Sequence, residues 1–216
     1  MTHAVVRPSR PSKPRWHRRK QARPAEIVAA ALAVFVERGF AATRLEQVAR
    51  RAGITKGTLY LYFDSKEALF KAVVRETIVP CIAQGEELAA SFHGTARELF
   101  TALAHHYWRL VGGTALAGIP KLMVAEAANF PALARFYHEE VVSRGHRLIG
   151  TVLERGIRSG EFRPLNVPIA ARLAMAPLLH AALRQHSFAL CKCEGFDVDT
   201  YVNTHIDLYL HGIART

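Results

Sequence analysis

The chain has 216 residues, half of them hydrophobic and 22% charged, a composition suited to one large globular domain or two small ones. Its net charge of +11 is unevenly placed: residues 1–71 hold 15 Lys/Arg against 5 Asp/Glu, whereas residues 72–216 hold 14 against 13. The first third is therefore suited to meeting a polyanion and the rest is nearly neutral. Three cysteines, Cys81, Cys191 and Cys193, are too few for a disulfide scaffold and fit a reducing compartment. No apolar run approaches the roughly 18 residues of a membrane span. The basic N-terminus lacks the apolar segment of a secretory signal. The expected location is cytoplasmic, with no membrane partner.

Residues 2–24 read as a disordered arm. They carry Arg7, Arg10, Lys13, Arg15, Arg18, Arg19, Lys20 and Arg23, four prolines and no acid. Such a segment buries too little apolar surface to offset its ordering entropy. Two readings stay open: a solvated tail, or an arm that follows DNA phosphates or enters a minor groove. A first helix is expected from Pro24, with Ile27, Ala30, Ala31, Val34 and Phe35 at helical spacing and Gly39 as its terminator. Thr43-Arg44-Leu45-Glu46 fits a capping box opening a short second helix, which Gly53 breaks. Thr55 caps a third helix through Tyr60 or Leu61. Asp64 or Ser65 caps a fourth, which Pro80 is expected to kink or end. From residue 95 onward only helical periods appear, over about 95–111, 116–128, 130–158, 168–190 and 198–213, with Asn166 and Asp197 as plausible starts.

Residues 43–66 form a unit: short helix, glycine turn, short helix, the pattern of a helix-turn-helix. Ala49 and Ala52 permit close packing, and Ile54 and Leu59 fill the space between the helices. One face of residues 55–62 stays uncommitted and displays Lys56, Gly57, Thr58 and Tyr60, with Tyr62 just beyond. Lys56 can reach guanine acceptors or a phosphate, and Gly57 lets the backbone approach DNA. Thr58 and Tyr62 can bond phosphates, and the Tyr60 ring can press on a thymine methyl. Lys66 sits in the first turn of the next helix, where free N–H groups favour an anion.

The run from Gly39-Phe40-Ala41-Ala42-Thr43 through Val48-Ala49-Arg50-Arg51-Ala52-Gly53-Ile54-Thr55-Lys56-Gly57-Thr58-Leu59-Tyr60-Leu61-Tyr62-Phe63 to Lys66-Glu67-Ala68-Leu69 closely resembles the DNA-binding domain of the TetR/AcrR family of regulators. The resemblance covers about residues 24–75. It implies DNA contacts at Thr43, Arg44, Thr55, Lys56, Gly57, Thr58, Tyr60, Tyr62 and Lys66, although Arg44 stands where many members have Thr or Ser. The stretch from Pro120 to Tyr137 is similar to the AefR-like subgroup, which implies a C-terminal domain that binds a small ligand and dimerises through its last two long helices. The expected fold is thus all-α: a basic arm (1–23), a three-helix helix-turn-helix domain (24–71) and a helical ligand-binding and dimerisation domain (72–216). The expected partners are a palindromic double-stranded operator, a small-molecule effector and a second copy of the chain. Leu179, Leu183, Val202 and Ile206 are expected at the dimer contact.

Tyr107, Met123, Phe136 and Tyr137 are candidate ligand contacts, with core packing as the competing reading. Cys191 and Cys193 supply two thiols without a second pair, which is short of a zinc shell, and no metal or other cofactor is expected. His105 and His106 must point to different helix faces, whereas His138 and His146 can share one. No nucleophile elbow, phosphate loop or zinc-peptidase motif is present, so an enzyme is not expected. The leading function is a ligand-responsive DNA-binding regulator, with repression favoured. The alternatives are a sequence-nonspecific nucleic-acid binder, which explains the charge but not the helix-turn-helix, and a small-molecule enzyme or carrier, which only the aromatic content supports.

Overall fold

The computed structural model describes residues 16–188 and 197–215, and for residues 16–23 and Phe188 the backbone alone. The arm through residue 15, and Cys191 and Cys193, lie outside the described residues. Within them the chain is helical without strands, apart from one isolated bridge between Phe162 and Ala214. The all-α expectation is met.

Helix α1 (Trp16–Arg38) starts ahead of the expected Pro24 and continues through that proline. The preceding residues are mostly long, unbranched helix formers, and the proline removes one backbone hydrogen bond. Gly39 ends α1 with φ 79°, a conformation that a Cβ would disfavour. Helices α2 (Leu45–Arg51) and α3 (Lys56–Tyr60) follow. Helix α4 (Lys66–Ser91) runs on past Pro80, so that residue does not end it. The capping box expected at Thr43–Glu46 is displaced by one residue. Arg44 is the N-cap, its N–H donating to Gln47 Oε1 at 3.0 Å, and the Thr43 hydroxyl turns inward to the Gly39 carbonyl at 2.6 Å.

The C-terminal part comprises α5 (Ala96–Tyr107), α6 (Gly118–Glu126), α7 (Pro131–Tyr137), α8 (Ser143–Ser159), α9 (Val167–Phe188) and α10 (Val198–Ile213). A π-turn at Trp108–Gly112 extends α5, and a second at His138–Val142 joins α7 to α8 in one continuous rod. The expected 130–158 segment is therefore a single helix carrying a local unwinding. Asp197 caps α10 by accepting from the N–H groups of Asp199 and Thr200 at 3.1 and 3.3 Å.

Two apolar cores result. The first gathers Ile27, Phe35, Val48, Leu59, Leu69 and Phe70 from α1–α4, and it continues without a break into Met123, Leu133, Phe136 and Tyr137 of α6 and α7. The second joins α5, α8, α9 and α10 through Phe100, Val152, Leu178, Val202 and Ile206. This corrects the assignment of Val202 and Ile206 to a dimer contact, since the protein's own core buries both. Leu179 and Leu183 are half-buried. On α9 and α10 the large apolar residues left exposed, among those described, are Ile169 and Leu173 on α9 and Leu208 on α10, the last two 60% and 67% exposed. A helical repeat identifies an apolar face but not whether the same chain or another one covers it.

Candidate DNA-binding surface and ligand cavity

Helices α2 and α3 meet at Gly53, whose φ of 66° makes the turn. Leu59 is wholly buried against the α1–α4 core, which fixes the rotation of α3. Its opposite face therefore points outward. Thr55 caps α3, its Oγ1 accepting the Thr58 N–H at 3.1 Å, and the two hydroxyls bond each other at 2.9 Å. Lys56, Gly57, Tyr60 and Tyr62 are exposed beside them, and Thr58 is half-buried. Arg44 is exposed at the start of α2.

The Lys56 ammonium pairs with Glu46 of α2 and lies 5.7 Å from the centre of the Tyr60 ring. The side-chain bond to Lys56 holds the Glu46 carboxyl below the usual carboxylate range, and the same bond raises Lys56. Both groups are exposed, so the pair is worth little to stability and opens readily to a competing phosphate. It holds the cation on the outward face of α3.

Two of the expected contacts are placed differently. The Lys66 ammonium donates to the carbonyls of Phe40, Ala41 and Thr43 at 2.7, 3.0 and 3.1 Å and lies 4.6 Å from the centre of the Phe40 ring. An ammonium has three protons, and all are engaged. Lys66 thus tethers the α1–α2 loop to α4. Thr43 is 2% exposed, its hydroxyl committed to Gly39. Conversely, Leu61, 82% exposed at the C-terminal end of α3, was not singled out from the sequence. Its signal was an apolar residue two positions from buried Leu59, out of phase with the helix's inner face.

The second feature is a cavity of about 360 Å³ walled by α4, the end of α5, α6, α7, α8 and α9. This lies within the range of small-molecule sites. Of the four candidates, Tyr107, Met123 and Tyr137 line it. Phe136 does not: its ring faces Lys71 and Arg75 of α4, with charged groups 5.4 and 5.0 Å from its centre. The two π-turns bring Val111, His138, Val141 and Val142 to the wall, a placement that helical periodicity alone does not give. His138 and His146 do share the cavity face. Burial pushes Tyr107 up to about 12, and burial together with neighbouring Tyr107 raises Tyr137. Both phenols are therefore neutral at physiological pH and able to donate. Burial first, then Arg172 and His138, lowers His146 below its ordinary value. His105 and His106 diverge as expected, toward Asn203 and the Cys81 carbonyl, each at 3.0 Å.

The cavity reaches the DNA-binding part through α6. Met123, Val124 and Ala127 face it, while Glu126 on the same helix accepts the Ala41 N–H at 2.9 Å. Phe130, just beyond, sets its ring edge-on to Phe40, with centroids 4.7 Å apart. At the start of α6, Gly118 lies so close to Val36 of α1 that a Cβ there would stand 2.5 Å from a Val36 methyl. The loop that carries α2 is thereby held by a helix that also walls the cavity.

A helix-turn-helix joined through a shared core to a helical domain with an apolar cavity defines a one-component DNA-binding regulator with an effector site. Comparison with known proteins agrees. The family model described as "Bacterial regulatory proteins, tetR family" matches residues 27–73, and "Tetracyclin repressor-like, C-terminal domain" matches residues 91–189. The HTH-type transcriptional repressor KstR2 of Mycobacterium tuberculosis is 30% identical over 156 residues, covering 68% of this chain and 73% of that protein. The fatty acid metabolism regulator protein of Bacillus subtilis is 27% identical over 157 residues, 71% of this chain and 79% of that one. The crystal structure of the regulator FadR from Bacillus subtilis in complex with stearoyl-CoA has the same fold, with a TM-score of 0.75 at 24% identity over 88% of this chain and 98% of that one. The chain belongs to the TetR family and is a ligand-responsive transcriptional repressor. Homodimers are typical of this family. Among the described residues, no helix is long and apolar enough to cross a membrane.

Proposed function

We propose that this repressor leaves its operator when an elongated apolar ligand of the acyl-CoA type enters the C-terminal cavity. The observation that carries the reading is the cavity itself, almost wholly apolar but equipped with the two phenols of Tyr107 and Tyr137, next to the α6 residues that hold the α1–α2 loop. Related proteins support the ligand class: one is a fatty acid metabolism regulator and one is bound to stearoyl-CoA. A long chain gains burial along the apolar wall, and a tyrosine hydroxyl donates to a carbonyl oxygen.

Thr55, Lys56, Gly57, Thr58, Tyr60 and Tyr62 contact the major groove, with Arg44 on a neighbouring phosphate and exposed Leu61 against a thymine methyl. A dimer formed by α9 and α10 through Leu173 and Leu208 places two α3 helices on a palindromic operator, about 34–36 Å apart. Ligand filling displaces α6, the Glu126–Ala41 and Phe130–Phe40 contacts break, and the recognition helices lose that spacing. The ligand acts only through unequal affinity for the two arrangements. The division at residue 71 falls within α4, which then transmits the movement. The protein works in the cytoplasm, and the similarity of residues 120–137 to the AefR-like subgroup supports kinship with that subgroup.

The experiment is a titration of the protein–operator complex, the operator first selected from random DNA by the purified protein. Release by stearoyl-CoA but not by free coenzyme A supports the reading. Release by neither, with the complex otherwise specific, refutes the ligand class.

A further inference from the structure

Behind the main cavity lies a second space of about 70 Å³. The two share Ile82, Tyr107, Val111, Gly145 and Met175 as lining, so they are adjoining chambers, the larger called outer and the smaller inner, and those residues form the neck where they meet. Their chemistry differs. The outer chamber holds the buried Tyr137, with His138 and His146 also at its wall. The polar groups found in the inner chamber alone are already paired: the Cys81 thiol donates to the Thr77 carbonyl at 3.2 Å, and His106 Nε2 bonds the Cys81 carbonyl at 3.0 Å, while Tyr107 stands where the two chambers meet. Burial pushes the Cys81 thiol up, which keeps it uncharged. The larger chamber thus offers a further phenol and two imidazoles, whereas the smaller one adds only polar groups that are already bonded.

Glycines on the two helices at the neck play different parts. On α4, Gly85 is buried, and a Cβ there would stand 3.0 Å from Leu148 and 3.5 Å from Leu103, so its absence lets α4, α5 and α8 close around the inner chamber. On α8, a Cβ at Gly145 would meet nothing within 4 Å, although the residue lines both chambers. A side chain at 145 would therefore enter open space beside the junction of the two chambers. The neighbours of these glycines fix the two helices: Arg144 grips Glu86 with two bonds, Nε to Oε1 at 3.0 Å and Nη2 to Oε2 at 2.5 Å. A bidentate pair of this kind sets both distance and orientation. A glycine inside a helix costs about 1 kcal/mol relative to alanine, and packing does not require one at position 145.

We infer that the inner chamber receives the apolar end of the ligand and that Gly145 is the specificity-determining residue that admits it, so that the open passage at this position sets how long a chain the repressor accepts. This rests on the proposed acyl-type ligand for its biological meaning but not for its physical test. A ligand entering tail-first leaves its polar end beside the outer tyrosines and seats its terminal carbons past Gly145.

Two measurements test it with the full-length protein. In the first, binding of a graded series of saturated acyl-CoA probes is compared between wild type and Gly145→Leu. For the wild type, affinity rises about fourfold per added methylene until the inner chamber is full, from the burial energy of a CH₂ group. For Gly145→Leu the rise stops several carbons earlier, while the shorter probes bind as they do to the wild type. An unchanged length profile, or a uniform loss at every length, overturns the inference. In the second, crystals of wild type and variant are pressurised with xenon, which enters empty apolar cavities whatever the natural ligand is. Xenon in the inner chamber of the wild type and its absence in Gly145→Leu supports the passage, even if no acyl-CoA binds and the acyl reading falls. An inner chamber without xenon in the wild type overturns the inference. Gly145→Ala is the folding control and is expected to melt at or above the wild-type temperature.

Discussion

Glu126 offers a direct test of how the cavity speaks to the DNA-binding part. Its carboxylate accepts the Ala41 N–H at 2.9 Å, across 85 residues of sequence, and the bond is exposed. A hydrogen bond to a charged group contributes about 1.5–3 kcal/mol when shielded from water. Exposure places this one lower, at about 1 kcal/mol, a factor of about five in an equilibrium constant. Glu126→Ala removes it. If the bond exists only in the DNA-competent arrangement, the variant shifts the balance toward the released arrangement about fivefold. Where the competent arrangement predominates, operator affinity without ligand changes less than twofold. The ligand concentration for half-release falls about fivefold, because less binding energy is spent on the transition. Glu126→Gln keeps an acceptor oxygen without the charge and should fall between the two. The assay is fluorescence anisotropy of labelled operator titrated with stearoyl-CoA. A Glu126→Ala protein that melts lower yet releases at the wild-type ligand concentration would refute the reasoning, since the bond would then only hold the fold together.

Other outcomes follow from the same geometry. Lys66→Ala leaves three carbonyls of the α1–α2 loop without their donor, so stability should drop by about 1–3 kcal/mol and thermal melting by several degrees, with operator binding lost alongside. Tyr60→Ala and Lys56→Ala should each reduce discrimination for the selected operator by about 1–3 kcal/mol without lowering the melting temperature, checked by competition against random DNA. Leu173→Glu combined with Leu208→Glu should convert the proposed dimer to monomer in sedimentation, because both residues are exposed on α9 and α10 outside the protein's own core. His146 has its proton affinity lowered by burial first and then by Arg172 and His138. The unfolded chain therefore binds that proton more tightly, and His146 removes stability as pH falls through and below the ordinary histidine range. Melting between pH 7 and 5 should show less acid sensitivity in His146→Gln than in wild type.

Much of the DNA-binding part was written in the order of residues. Gly39 and Gly53 mark turns because positive φ is costly for any residue with a Cβ, and Thr55 and Ser65 mark helix starts because their hydroxyls satisfy nearby N–H groups. These are interactions within four residues, so local spacing reports them. The uneven charge likewise placed the polyanion-facing part near the N-terminus. Other features depend on residues far apart in the chain. Lys66 looked like a phosphate contact until its helix lay beside the Phe40–Thr43 carbonyls, and Phe136 looked like a pocket wall until Lys71 and Arg75 covered its ring. Val202 and Ile206 showed an apolar face, but only packing decided that α5 and α9, not a second copy, fill it. The cavity is the furthest from the sequence. Two π-turns re-aim its wall, and its passage is a glycine valuable for what is missing beside it, since empty space is set by several helices at once and leaves no pattern along any one of them.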